Sequence, residues 1–328
     1  MISFCLIGAG RIGAIHAENI ARHPAARLHM VVDVNGAAAA ALAGRHGAAV
    51  GSLAAAFADA AVDAVLIASS TDSHAELVEA AARAGKAVFC EKPLDLDRRR
   101  AEACLAVAES AGVPLMLGFN RRFDPNFARL ERQLREGRVG RLELLSITSR
   151  DPGPPPIDYV RVSGGLFRDM MIHDFDMARW LLGEEPVALF AAASALVDPA
   201  IAAAGDVDTA LVTLRTASGT LCQISNSRRA AYGYDQRIEA LGAKGALAAG
   251  NVLESTLSFS GAEGVVSEKP LHFFLERYAE AYRRELDHFV VALGTRTPPS
   301  VSGADGVKAL ALAEAALASL ASGSAVSL

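Results

Sequence analysis

A glycine cluster near the start of the chain limits its fold more than any other feature. An apolar run, Ile2–Ile7, passes directly into Gly8-Ala9-Gly10-Arg11-Ile12-Gly13, and a helix-like stretch, Ile12–Arg22, follows at once. Glycines at this spacing permit a tight turn and a close backbone approach. The helix N-terminus behind them offers free N–H groups and the positive end of its dipole to an anion. In this context the pattern predicts that Gly8, Gly10, Arg11 and Ile12 hold the pyrophosphate of a dinucleotide. A second apolar run, Leu28–Val32, leads into Asp33, 20 residues beyond Gly13. A carboxylate there can accept both hydroxyls of a ribose and would repel a 2′-phosphate. No arginine follows in Val34-Asn35-Gly36, so NAD is favoured over NADP.

The same rhythm continues to about residue 118. Apolar runs at Ala64–Ala68, Ala87–Cys90 and Pro114–Leu117 alternate with helix-like segments around Gly36–His46, Ser73–Ala84 and Asp97–Ser110. Strands alternating with helices imply βαβ units, hence an α/β fold with a doubly wound parallel sheet of the Rossmann type over 1–118. Beyond Phe119 the pattern changes. A helix is expected over Asn126–Arg135 and a strand over Leu142–Thr148. A proline-rich loop, Asp151–Ile157, and a helix from Gly165 to Leu182 follow. From Val187 to Leu271 the chain reads as consecutive strands, with Thr209–Arg215 and Leu221–Asn226 flanking a hairpin turn. A long helix over Phe273–Leu293 and an alanine-rich one near Ala304–Leu320 close the sequence. Residues 119–328 therefore predict an α+β substrate and oligomerisation domain with a large open, mostly antiparallel sheet. Its final helical segment is a candidate to pack back on the first domain.

Composition narrows the partners. With 52% hydrophobic and 21% charged residues the chain can bury a large core, which excludes disorder. Mean hydropathy is +0.26, yet the apolar runs are short. Val187–Val197 has 11 residues, and Lys308 and Glu314 interrupt the alanine-rich tail, whereas a spanning helix needs about 20. No basic patch stands out against a net charge of −5, which argues against nucleic acid. The strand-like run at Ile2 leaves no room for a signal peptide. The four cysteines, Cys5, Cys90, Cys104 and Cys222, lie far apart with neither CxxC spacing nor a disulfide pattern. A reduced, cytoplasmic, non-membrane protein is expected.

Further polar residues sit where ligands of such sheets bind, at the carboxyl ends of strands. Ser69-Ser70-Thr71 and His74 follow the Ala64–Ala68 run, so Ser70 and His74 are candidate cofactor contacts. Ser and Thr before a helix also serve as N-caps, and the sequence does not separate the two roles. Glu91-Lys92-Pro93 follows Ala87–Cys90, which makes Glu91 and Lys92 candidates to face the nicotinamide. Asp169 and His173 lie four residues apart in the Gly165–Leu182 stretch and so project from one helix face. A carboxylate beside an imidazole suits a general base. A surface ion pair and a structural metal site remain alternatives, although no cysteine or second histidine lies nearby to complete a zinc set.

Taken in order, GAGRIG, CEKPL, GFNRRFD and GGLFRDMMIHDFDMARWLLG resemble the Gfo/Idh/MocA oxidoreductases over essentially the whole chain. Within the family, Arg150-Asp151-Pro152 and Tyr232-Gly233-Tyr234-Asp235 are most similar to inositol 2-dehydrogenases. The resemblance implies that Lys92, Asp169 and His173 are catalytic and that Arg122, Asp151 and Tyr234 line a polyol or sugar pocket. It also implies oxidation of a polyol secondary alcohol, myo-inositol to its 2-keto product first, with NAD as cofactor. Other polyols or sugars, or a non-catalytic cofactor-binding regulator, are the competing expectations. Lys92, Asp169 and His173 together argue against the regulator. A homo-oligomer, dimer or tetramer, is implied as well.

Overall fold

A computed structural model describes residues 1–328, which divide into two compact units. The first comprises Met1–Asn120 and Ala281–Leu310, and the second comprises Arg121–Glu280 and Ala311–Leu328. The second unit is therefore not one continuous stretch, because the segment 281–310 belongs with the N-terminal residues.

In the first unit, β1 (Ile2–Ile7), β2 (Ala26–Val32), β3 (Ala49–Val50), β4 (Ala64–Ile67), β5 (Ala87–Cys90) and β6 (Leu115–Leu117) form one sheet in the order β3-β2-β1-β4-β5-β6. Every neighbouring pair is parallel. Helices α1 (Arg11–Arg22), α2 (Gly36–His46), α3 (Leu53–Ala58), α4 (His74–Arg83) and α5 (Arg98–Ala111) supply the crossovers. Residues of β4 and β5 are buried on both faces, which is why these strands read as unbroken apolar runs. The two-residue β3 and the single turns of α3 are too short to show a period, and sequence patterning missed both. The order reverses between β1 and β4, the topological switch point where such sheets bind ligands. Phe89 packs its ring 5.5 Å from Phe289, and Phe4 lies 6.2 Å from Phe289, which seats the returning segment on this core.

The second unit runs through α6 (Pro125–Arg135), β7 (Leu142–Arg150), α7 (Ile157–Val160), α8 (Gly165–Asp169), α9 (Ile172–Leu182), β8 (Pro186–Ser194) and α10 (Pro199–Ala203). The strands β9 (Thr209–Thr216), β10 (Leu221–Ser227), β11 (Asp235–Gly242), β12 (Gly245–Ala249), β13 (Ser258–Gly261) and β14 (Gly264–Ser267) follow. The chain ends with α11 (Phe274–Arg277), α12 (Ala279–Thr295), α13 (Gly303–Ser322) and β15 (Val326–Ser327). Seven strands form a sheet in the order β12-β11-β7-β10-β9-β8-β15. The β7–β10 pair is parallel and every other pair antiparallel, so the sheet is mixed and mostly antiparallel. Along β9, Ala210, Val212 and Leu214 are buried while Leu211, Thr213 and Arg215 are exposed, the alternation of a sheet with one covered face.

Two helices expected to be continuous are interrupted. Over 165–182 the Met171 N–H reaches back five residues to the Leu166 carbonyl at 2.9 Å, and the His173 N–H only three, to Met170 at 3.4 Å. A wide turn followed by a tight one separates α8 from α9, an irregularity often found at functional sites. Asp169 thus ends one helix and His173 is the second residue of the next. The stretch 273–293 likewise breaks at the buried Tyr278. No helix is long and apolar enough to cross a membrane.

The glycine loop is fixed by packing. Gly8 has φ +105°, and a Cβ on it would lie 2.6 Å from the Ser69 nitrogen. A Cβ on Gly13 would overlap the Gly8 carbonyl oxygen, so only glycine lets α1 start this close to β1. Gly13→Val should therefore cost about 3 kcal/mol or more of stability, read as a lower urea midpoint. An unchanged midpoint would contradict this close approach.

Candidate active site

In the first unit, Gly10 caps α1 with no side-chain hydrogen bond, and the first intrahelical bond of the loop is Ala14 N–H to the Gly10 carbonyl at 2.9 Å. The amides of Arg11, Ile12 and Gly13, in the first turn of α1, have no intrahelical acceptor, and a Cβ on Gly10 would meet nothing within 4 Å. Backbone donors therefore face open space at a helix N-terminus, which fits a pyrophosphate. Arg11 is exposed and Ile12 half-buried at this mouth. Asp33 stands beside the loop, accepting from Ala9 N–H at 2.6 Å and Asn35 N–H at 2.7 Å. Its carboxylate ties the end of β2 to the glycine turn.

Beyond β4, Ser70 is exposed at the start of a single 3₁₀ turn, Thr71–Ser73. His74 is 2% exposed; its Nδ1 lies 2.8 Å from the Pro93 carbonyl and its Nε2 3.1 Å from that of Ser69. With both ring nitrogens directed at backbone oxygens, His74 braces two turns. Glu91, the neighbouring candidate, turns its carboxylate inward to His16 Nε2 at 2.8 Å. Lys92 follows, half-buried, joined to Pro93 by a cis peptide bond.

In the second unit, one interior guanidinium organises the polar residues. Arg228 is 2% exposed and lies 3.3 Å from Asp169 and 3.8 Å from Asp151. Tyr159 donates its hydroxyl to the other Asp169 oxygen at 2.9 Å. Burial, reinforced by the Asp169 charge and opposed by Arg228, raises the Asp151 carboxyl to about 6. Tyr159 is pushed up as well, by burial and by Asp169. Two carboxylates, a phenol and a buried cation therefore form one cluster, joined by hydrogen bonds at Asp169 and by a longer ion pair at Asp151. His173 lies on the next helix, just past the α8–α9 interruption.

Arg122, the arginine expected to line the pocket, forms a two-pronged ion pair with the buried Asp176 and lies 5.9 Å from the Trp180 ring centre. Arg121 instead donates to Asp174 at 2.6 Å and Ser149 at 2.9 Å, with its guanidinium over Tyr278. Tyr234 is 6% exposed and meets Tyr278 edge-on at 5.9 Å. Burial, despite the nearby Arg121 cation, holds its phenol well above the ordinary value. Sequence reasoning missed Arg228, Tyr159 and Arg121. Arg228 could have been found from strand pairing alone, because the β7–β10 register sets Ser227 opposite Arg150 and so brings the next residue of each strand together. No group of three His, Cys, Asp or Glu is placed to hold a metal ion.

Two family models match the chain. Residues 2–119 match the oxidoreductase family with an NAD-binding Rossmann fold, and residues 127–248 match the GFO/IDH/MocA C-terminal domain. The chain is 52% identical to an inositol 2-dehydrogenase of Rhizobium meliloti, across 98% of this chain and 97% of the relative. A solved myo-inositol dehydrogenase from Corynebacterium glutamicum is 42% identical with a TM-score of 0.96, covering 100% of this chain and 99% of that one. The scyllo-inositol dehydrogenase of Lactobacillus casei, solved with bound NAD(H) and scyllo-inositol, is 30% identical with a TM-score of 0.92 and covers the same shares. The glycine loop, Asp33 and the uncapped start of α1 all lie within the residues that match the NAD-binding Rossmann family. The chain belongs to the Gfo/Idh/MocA family of NAD-dependent oxidoreductases.

Proposed function

We propose that this protein is an NAD-dependent polyol dehydrogenase that oxidises myo-inositol to its 2-keto product. The observation that carries the reading is the Asp151–Arg228–Asp169–Tyr159 cluster. A cyclitol presents a hydroxyl on every carbon, and binding it requires acceptors and donors held rigidly in a small space. The cluster supplies both. The 52% identity to an inositol 2-dehydrogenase over nearly the full chain supports the same substrate.

An alcohol proton is too weakly acidic to leave unaided at neutral pH. In this reading His173, as the neutral imidazole, takes the proton from the reacting hydroxyl. Asp169, four residues earlier at the end of α8, adds a negative potential that favours the imidazolium, while Tyr159 and Arg228 hold its carboxylate in place. Lys92 donates to the same oxygen and stabilises its alkoxide character. Bound NAD supplies the chemistry the side chains lack, accepting hydride from the carbinol carbon. Gly8, Gly10, Arg11, Ile12, Asp33 and Ser70 are the residues we assign to holding it. The outer face of the seven-stranded sheet carries exposed Phe190, Leu211, Leu221 and Leu241, which supports association into a dimer or tetramer.

With NAD, myo-inositol should give the fastest growth of absorbance at 340 nm among a panel of inositol isomers, glucose and anhydro sugars; greater turnover of another member would replace the substrate. His173→Ala should lower kcat by a factor on the order of 10² or more with NAD binding intact. Retained turnover would remove its role as base. Asp33→Ala should weaken NAD and narrow the preference over NADP; an unchanged ratio would count against the ribose assignment.

Asp151 generates a pH prediction. Its folded value, raised from 3.8 to about 6, means that the folded chain holds an extra proton between those limits. The stability this contributes is complete below the lower value and is lost as pH rises through the higher one. The ionised form is the one that accepts from a polyol hydroxyl, so kcat/KM should climb through about pH 6. Asp151→Asn should abolish that limb of the profile, and a limb that survives would assign the ionisation elsewhere.

A further inference from the structure

His16 lies on the second turn of α1, wholly buried with Gly13, Ala17 and Ile20 on the inner face of that helix. Its ring is held edge-on by Phe89 at 5.2 Å and Tyr282 at 5.7 Å, which fixes its orientation. Its Nε2 then meets the Glu91 carboxylate at 2.8 Å. Glu91 has little freedom to leave. Its backbone N–H is bound to the Ile67 carbonyl at 2.9 Å, and a Cβ at Gly118 would lie 2.8 Å from Oε2, so glycine is needed there to make room for the carboxylate. On the far side, Pro93 is anchored through its carbonyl to His74 Nδ1 at 2.8 Å. Lys92 is thus bracketed by two residues that each bind a buried histidine.

Glu285 lies in the same interior, 0% exposed on α12, and neither of its oxygens has a hydrogen-bond partner. Burial and the neighbouring Glu91 push its carboxyl well above the ordinary value. Of the two carboxyl groups in this interior, Glu91 is the one that meets His16.

A turn made only to support the fold would not need this connection to α1. The N-terminus of α1 is the part of the first unit fitted to the pyrophosphate, and His16 is five residues from Arg11 on the same rigid helix. We propose that His16 is a positioning residue which, through Glu91, sets the place of Lys92 relative to the cofactor-binding helix. The proposal rests on the assignment of Lys92 as a catalytic residue. A shift of about 1 Å at a reacting group can cost on the order of 10²-fold in rate without changing what binds.

Glutamine and asparagine at position 16 separate reach from polarity, because the Gln amide extends to about the place of an imidazole Nε2 and the Asn amide stops one methylene short. His16→Asn should lower kcat by roughly 10- to 100-fold, with KM for NAD and myo-inositol within about 3-fold. His16→Gln should recover most of that loss. Placed in a Lys92→Ala background, His16→Asn should cost almost nothing further, because the interaction it serves is already gone. Circular dichroism confirms that each variant is folded. If Asn does not fold, the Gln variant measured alone and with Lys92→Ala carries the same test of additivity. A kcat for His16→Asn within about 3-fold of the parent, or a fully additive loss on top of Lys92→Ala, overturns the proposal while leaving the dehydrogenase reading intact. Near-normal turnover of Lys92→Ala would instead remove the reading on which the proposal stands. Glu285→Gln, at a side chain whose oxygens have no hydrogen-bond partner, should leave kcat unchanged; a large loss would mean that Glu285 helps to hold the turn and would overturn this account of the cluster.

Discussion

Arg228 must keep its charge in the interior of the second unit, where an isolated cation would be prohibitively costly. It is tolerable there because Asp169 lies 3.3 Å away and Asp151 3.8 Å away on its other side. Asp169 has Tyr159 as well as Arg228 for partners, and at Asp151 burial outweighs the guanidinium and raises the carboxyl to about 6. The cluster is held by the parallel pairing of β7 with β10, in which Asp151 N–H also binds the Ser227 carbonyl at 2.9 Å. Without that pairing the acid and the base would be 77 positions apart in sequence with nothing to bring them together.

The first unit meets a different constraint, the close approach of backbone segments at the switch point. Gly13 admits α1 against β1, Gly8 admits the loop beside Ala68 and Ser69 at the end of β4, and Asp33 ties the loop to β2 through the Ala9 N–H. Behind this surface the interior is polar as well as apolar. His16, Glu91 and Glu285 lie among Phe89, Tyr282 and their neighbours, with the aromatic rings fixing the imidazole and the imidazole fixing the carboxylate. Packing and polar contacts act on the same few side chains, so a change at one is felt at the others.

Much of the fold was legible because its signals are local. The runs Ile2–Ile7 and Ala87–Cys90 became strands with those same bounds, and Gly36–His46 became a helix with the same bounds. Each element carries its own period, and each βαβ unit closes over a short stretch of chain. The glycine motif was legible for the same reason, since strand, turn and helix adjoin one another. The α8–α9 interruption was not, because Gly165–Leu182 has no proline and its residues suit a continuous helix. The wide turn at Met171 shows only in the hydrogen-bond pattern.

The sequence by itself determined which residue types were present at the strand ends and which half of the chain would take the nucleotide, because those properties depend on spacings of a few residues. Only the tertiary structure decided what each polar side chain faces. It turned Glu91 inward to His16, closed both nitrogens of His74 with carbonyls, and gave Arg122 to Asp176 while Arg121 went to Asp174. It also brought Arg228 to the two aspartates. Each of these choices is made by a partner far away in sequence. A buried charge takes whichever counter-charge the packing presents, and no local pattern encodes that partner.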